Sequence, residues 1–518
     1  MIKQLGARAF RTVPGRSYGT PKELWGFESD RGRGTPEEIA LEFLRVNAGL
    51  LGIEDEIESL TLRRRIESLG ASHVILQQKF RRRRIHRAYV TAHVRPNGRV
   101  YLVKNRAVPS ALLAAAKEGR VGVARAVAAA RRAVSHAKGR ARIVGEPEAL
   151  WLPIQRRVHP AWRVRVHCTH PRSEWIVYVS AETGRVIQRY DNLSGVSRRV
   201  SAGRAAAGRA SVFLPNPMAG DPSFRPMVDG KLQKPPERAY QAVRLSGLDG
   251  RGRLDGRAVS TALTKTRVRR PDLDFRMNNS SAGFEEVSAY YHISSALERL
   301  ADLGYTGTRR IFRDRVRVDA RGTPEDNSWY SPGERTLTFG LGGVDDAEDG
   351  ETVLHEFGHA MQDAICPDFG QSHEAAAMGE GFGDYWAGSF FAERKPAAYR
   401  LALMSWDGAT AAALEEGRPA CVRRLDSAQS YESFDHSERA DEHDNGEIWS
   451  ATLWQVREAI AREQADRIIV DSHFQLDGFT TFARGARAIL DADRNLYRGA
   501  HLAALRRIFR RRGIGPIE

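Results

Sequence analysis

The segment His355-Glu356-Phe357-Gly358-His359 constrains this chain more than any other. On a helix, residues four apart project from one face, so both imidazoles can reach a single cation. Glu356 then lies on the adjoining part of the turn, placed to reach a water near the metal without being a ligand. Five-residue patterns of this kind also arise by chance, and structural histidines are common. What separates a metal site from a packed helix is a further ligand on another element, because a catalytic zinc takes three protein ligands and keeps one position open.

One solution fails at once. A third histidine in the metzincin arrangement needs glycine and histidine three and six residues after His359, where the chain has Gln362 and Ile365. The alternative is a carboxylate from a second helix, and Met378-Gly379-Glu380-Gly381-Phe382-Gly383-Asp384 offers Glu380. Asp384, one turn further on, shares its face and is expected to accept the remaining ring proton of a metal-bound histidine. His373 and Glu374 stay open as rival ligands nearer the expected start of that helix.

The 518 residues exceed what one hydrophobic core fills, which predicts about three or four modules. With 42% hydrophobic and 28% charged residues, the composition is that of a globular chain with enough apolar material for sizeable cores. No apolar stretch of about 18 residues occurs, so no membrane-spanning segment is expected. The opening MIKQLGARAFRTVPGRSYGT lacks the apolar core of a secretory signal. Cys168, Cys366 and Cys421 are odd in number and far apart, so no disulfide framework and no cysteine-based zinc cluster can be read from them, and a Cys366–Cys421 pair stays open.

The net charge of +16 is unevenly spread: residues 1–200 carry 38 Lys+Arg against 17 Asp+Glu, and the rest carry 42 against 47. Seventy of the basic residues are arginines, mostly scattered and not interleaved with aromatics, which argues against a nucleic-acid platform and for a solvated basic face.

Along the chain, Thr35-Pro36-Glu37-Glu38 reads as a capping box with proline at the first helical position. Strand patterns follow over 73–78, 88–94 and 100–103, the last two joined through Pro96-Asn97-Gly98. An Ala/Arg-rich helical segment over 110–137 and a strand over 175–181 make a second small α+β unit. Residues 193–210 have linker composition. Beyond them, helices are predicted over 285–303, 351–364, 374–391 and 447–463, with a strand over 336–339.

The H-E-x-x-H segment with MGEGFGD, in which Glu380 follows His359 by twenty-one residues, resembles the fungalysin and thermolysin families of zinc endopeptidases, the glycine-rich wording being closer to fungalysin. Ser211 to Pro217 resembles the opening of that catalytic domain. Phe284 to Val287 with Tyr290-Tyr291-His292 resembles its early helix. Asn327-Ser328-Trp329-Tyr330, followed by Phe339-Gly340, resembles the edge-strand region that binds peptide backbone, and His443-Asp444-Asn445-Gly446-Glu447-Ile448-Trp449 resembles the segment with the transition-state histidine. Residues 35–105 are similar to the fungalysin/thermolysin propeptide module and 125–191 to a PepSY module.

The resemblance implies an α+β chain: small α+β propeptide modules, a linker at 193–210, and a zincin catalytic domain over 211–518 with a mainly helical C-terminal lobe. It implies a secreted proenzyme of an endopeptidase, with Zn2+ on His355, His359 and Glu380, Glu356 as general base, His443 on the oxyanion, Asn327 on the substrate, and a polypeptide substrate. The N-terminal half would be an intramolecular propeptide. Two departures stand out. No tyrosine lies between His359 and Glu380, and RRRRIHRAYV replaces the glycine-rich apolar stretch usual in the propeptide.

Rival readings remain. His443 can be a solvated loop histidine. The run Asp345-Asp346-Ala347-Glu348-Asp349 can bind Ca2+, but its spacing shows no ligand geometry and reads as a solvated loop. A PepSY-containing binding protein with a degenerate peptidase domain is a non-catalytic alternative, against which the intact Glu356 argues. A nucleic-acid-binding protein is the third.

Overall fold

The structure, a computed structural model, describes residues 3, 5, 10–15, 18–134, 141–169, 172–191, 206–229, 231–367, 369–410, 419–437 and 439–517. The chain divides into two compact units, Met1–Gly195 and Val196–Glu518. Helix and strand are mixed throughout, as the α+β expectation requires.

The first unit is built on antiparallel sheet. The strand Arg83–Val94 pairs with Ser72–Phe80 on one side and Val100–Asn105 on the other, and Thr61–Glu67 and Pro21–Trp25 extend the two flanks. The helix Pro36–Val46 begins at the expected capping box, where Glu38 N donates to Thr35 Oγ1 at 3.3 Å and Thr35 N to Glu38 Oε2 at 2.7 Å. Its apolar face, Ile39, Phe43 and Leu44, packs on Val74, Leu76, Val90 and Val103 in one buried cluster. A second meander, Glu148–Ile154, Arg157–Thr169, Arg172–Ser180 and Val186–Asp191, is covered by the helix Val123–Ala133 through Ala126, Ala129 and Ala130. The helical pattern read over 110–137 is two helices, Ser110–Ala114 and Val123–Ala133. Gly119 and Gly122 interrupt it, as glycine's backbone entropy predicts, and 135–137 lie outside the described residues.

The second unit opens with the strand Ala206–Val212. Residues 206–210, expected as linker, are therefore part of a sheet, and 193–205 lie outside the described residues. A four-stranded sheet follows in the order Val259–Ser260, Val316–Thr323, Thr336–Gly340, Trp329–Ser331, which leaves Trp329–Ser331 at the edge. The remainder is mainly helical: Gly350–Ile365 (the motif helix), His373–Phe391 (the carboxylate helix), Glu442–Ala459 (the His443 helix), Arg462–Ser472, Phe482–Tyr497 and Leu502–Arg511.

Glycines allow the three helices that matter to cross closely. A Cβ on Gly358 would lie 2.9 Å from Gly383 Cα, and one on Gly381 would lie 2.5 Å from Gly446 O. Real Cβ atoms do not come so near, so the glycine-rich wording of the carboxylate helix is a packing requirement. Trp386, Phe357, Phe382 and Tyr385 fill the core beside these crossings. Cys168, Cys366 and Cys421 are all free thiols. Among the described residues no helix is long and apolar enough to cross a membrane.

Candidate metal centre and active site

Each of the three helices enters the site with its first turn secured by a side-chain acceptor, which satisfies otherwise orphaned backbone amides. Asp349 accepts from Glu351 N at the start of the motif helix, Ser372 from Ala375 N at the start of the carboxylate helix, and Asp441 from His443 N at the start of the third. The Asp349 carboxylate also accepts from Asn216 Nδ2 and Trp406 N, so the motif helix is anchored at its origin.

His355 and His359 lie one turn apart on the motif helix, with their Nε2 atoms 3.2 Å from each other. The carboxylate helix brings Glu380 Oε2 to 3.1 Å from His355 Nε2 and Glu380 Oε1 to 3.4 Å from His359 Nε2. A tetrahedral zinc with ligands about 2.0–2.1 Å away has neighbouring ligand atoms about 3.3 Å apart. The three observed separations fit that figure, so this donor set can hold the ion. An oxygen of Glu356 also lies within 4.8 Å of a nitrogen of each histidine. Glu380 is the nearer carboxylate to both rings, and Glu356 stands alongside them. Glu374 is turned away, its Oε2 accepting from Phe482 N at 2.9 Å, and neither it nor His373 lines the cleft.

Behind His355, its Nδ1 lies 2.9 Å from Asp384 Oδ1. A carboxylate only accepts, so a ring proton sits on Nδ1, and once the ring gives up its second proton the Nε2 lone pair faces His359 and Glu380. Asp384 is fully buried and takes two hydrogen bonds from Arg423, at 2.8 and 2.9 Å. Burial alone would raise this carboxyl, but Arg423 and His355 outweigh it and hold it at about 2. Burial likewise opposes a charge on His355, yet Asp384 and Glu380 push its imidazole up to about 10. Glu380, despite burial, is held well below the usual carboxylate range by His359 and His355. The cluster therefore favours positive charge where the two imidazoles and Glu380 meet, which a divalent cation supplies.

Across the cleft, His443 Nε2 lies 3.3 Å from Glu380 Oε2 and its Nδ1 lies 2.9 Å from Asp441 Oδ1. The helix expected over 447–463 starts earlier, at Glu442, ends at Ala459 and carries His443 in its first turn. Asn327 stands just before the edge strand and lines the same cleft of about 360 Å³ with Trp329, Tyr330, Glu356, His359 and His443.

Sequence reasoning missed Asp441 and Arg423. Asp441 is a helix-capping residue two positions before His443, a signal that local reading can find. Arg423 sits in the two-residue strand Arg423–Arg424, and nothing local marks it.

Residues 343–517 match the family model of the fungalysin metallopeptidases (M36). The match spans the motif helix, the carboxylate helix and the His443 helix and supports a fungalysin-type metallopeptidase, a hydrolase of a zinc-dependent family. No curated protein matches the chain. Among solved structures the chain is similar to the Bacillus megaterium YpeB C-terminal domain, at 10% identity and a TM-score of 0.19, over 37% of this chain and 88% of that one. A likeness so distant bears on neither fold nor activity.

Proposed function

We propose that this chain is a zinc-dependent endopeptidase made as a proenzyme, with the metal held by His355, His359 and Glu380. The observation that carries the reading is the convergence of two imidazole nitrogens and one carboxylate at 3.1–3.4 Å, with Glu356 alongside. Zinc, when bound, supplies a Lewis acid that polarises a peptide carbonyl and acidifies water to a pKa of about 7.

The residues perform the rest. Glu356, 7% exposed and on the cleft wall, takes a proton from the attacking water and returns it to the leaving amine. Asp384, kept ionised by Arg423, holds His355 in the tautomer that turns Nε2 inward. His443 in its protonated form donates from Nδ1 to Asp441 and from Nε2 into the cleft, where charge develops on the former carbonyl oxygen. Asn327 and the free side of the edge strand Trp329–Ser331 receive the substrate backbone by strand addition. In the same reading, residues 35–105 and 125–191 are propeptide and PepSY modules, the connection to be cut lies within 193–205, and the rest, from the strand Ala206–Val212 onward, is the catalytic domain of a secreted enzyme.

Zinc analysis combined with a casein assay of Glu356→Gln tests this. The variant is expected to keep one zinc per chain and lose nearly all turnover, since only the general base is removed. Activity equal to that of the unaltered protein ends the proposal.

A further inference from the structure

Three aspartates from distant points in the sequence converge beside the cleft. Asp326 precedes the edge strand, Asp346 opens the turn Asp346–Glu348 ahead of the motif helix, and Asp407 opens the turn Asp407–Thr410. One carboxylate oxygen of each lies within 4.8 Å of those of the other two. The run 345–349 is thus not the solvated loop its composition predicts: Asp346, Glu348 and Asp349 are buried because the turn packs under the motif helix and the indole of Trp406 donates to Glu348.

Asp346 is 2% exposed. Its Oδ2 accepts from Ser328 Oγ at 2.5 Å and from Gly340 N at 3.3 Å, while Oδ1 is buried without a hydrogen-bond partner. Asp407 Oδ2 accepts from Thr352 Oγ1 at 3.1 Å. These few donors do not compensate the withdrawal of clustered carboxylates from water. Several other buried acids of the unit are matched by internal cations: Glu351 by Lys395 at 2.6 Å, Glu285 by Arg321 at 2.5 Å, Asp466 by Arg299 at 2.6 Å. Among the described residues no Lys or Arg forms an ion pair with Asp326, Asp346 or Asp407. Burial, with repulsion from the neighbouring acids, pushes Asp346 up to about 6 and Asp407 up to about 8.

We propose that Asp326, Asp346 and Asp407 form a divalent-cation site separate from the His355–His359–Glu380 cluster, and that calcium fills it. An all-oxygen set suits a hard cation. Ca2+ takes six to eight oxygens in flexible geometry, whereas Mg2+ demands near-ideal octahedral geometry and keeps several waters, so three carboxylates drawn from separate segments favour the larger ion. The ion ties the segment before the edge strand, through Asp326 and the Ser328 hydroxyl on Asp346, to the turn that precedes the motif helix. Peptide would bind to a strand held in place by the ion. The site does not depend on the peptidase reading.

Equilibrium dialysis of the zinc-loaded full chain against calcium chloride, with thermal melts in CaCl2 and in MgCl2, tests it. Calcium is expected to bind with a Kd below about 1 mM and to raise the Tm more than magnesium does. Asp326→Asn, at an exposed position where the fold should survive, is expected to weaken calcium binding at least tenfold. Asp345→Asn, in the neighbouring Glu285–Asp345–Glu348 cluster already served by Arg321, should leave it unchanged. The absence of calcium binding in the unaltered chain would show that shared protons neutralise the three aspartates and would overturn the proposal. So would retained binding in folded Asp326→Asn, or loss of binding in Asp345→Asn alone. If Asp326→Asn fails to fold, Asp407→Asn takes its place under the same criteria.

Discussion

His355 Nδ1 and Asp384 Oδ1 lie 2.9 Å apart at the crossing of the motif and carboxylate helices, and Arg423 grips both oxygens of that aspartate. One carboxylate therefore links an imidazole of the metal cluster to a guanidinium far away in sequence. Removing it with Asp384→Ala is expected to lower zinc affinity by about 10–100-fold, because the ring loses the partner that fixes its tautomer and raises its basicity. Competition with a chromophoric chelator measures this, and unchanged affinity refutes the role. Arg423→Met acts differently, leaving a fully buried carboxylate short of its cation. It is expected to cost about 3–5 kcal/mol in urea unfolding.

His443 is exposed at the rim, yet its Nε2 lies 3.3 Å from Glu380 Oε2 and its Nδ1 is held by Asp441. A group that acts on developing charge lowers kcat when lost and leaves the metal in place. His443→Ala should reduce kcat by about 100-fold or more with zinc content near that of the unaltered chain. Loss of zinc in step with activity would instead make His443 a ligand.

A pH dependence follows from His473. Its ring is buried, with Nδ1 donating to Ile469 O at 2.8 Å and Nε2 3.2 Å from the Gln362 amide nitrogen, so it is a neutral histidine accepting from Gln362. Burial lowers it to about 4 from an ordinary 6.5. Between those values the unfolded chain binds a proton that the folded chain refuses, so stability rises with pH through this window and is lost as pH falls below about 6.5. The loss approaches about 1.4 kcal/mol per pH unit. Urea unfolding of the unaltered chain and of His473→Gln at pH 7.5 and 5.0 measures the difference, which should shrink in the variant. An identical pH slope in both contradicts it.

The site was legible wherever its chemistry was written within a few residues. The i, i+4 spacing of His355 and His359 and the one-turn spacing of Glu380 and Asp384 each follow from helical periodicity. The contacts supplied by the fold were not legible. Arg423 reaches Asp384 only because the short strands Ala402–Leu403 and Arg423–Arg424 pair. Gly446 is a contact point that nothing local marks, since a Cβ there would lie 2.8 Å from Glu380 Cβ. The acidic run at 345–349 misled for the same reason. Its charges suggest water, whereas capping, Trp406 and burial under the motif helix determine where it lies.

The uneven charge supports the last prediction. Residues 1–200 carry a net +21, and residues 351–450, around the metal cluster, hold 7 Lys+Arg against 19 Asp+Glu. Opposite fields on two tethered units favour their association without any close-fitting apolar surface. That device suits a propeptide whose RRRRIHRAYV stretch has exchanged apolar residues for arginines. If the N-terminal half is a propeptide, cleavage within residues 193–205 is not expected by itself to release it at low ionic strength, because opposite charges attract. The separated 205–518 fragment should be inhibited by added 1–200 fragment in about 0.05 M salt, and inhibition should weaken strongly by about 0.5 M as the Debye length shrinks from roughly 14 to 4 Å. Peptidase activity titrated with the N-terminal fragment at the two salt concentrations decides the matter. If the fragment does not inhibit at low salt, the N-terminal half is not an inhibitory propeptide; if it inhibits equally at both, charge is not what holds it.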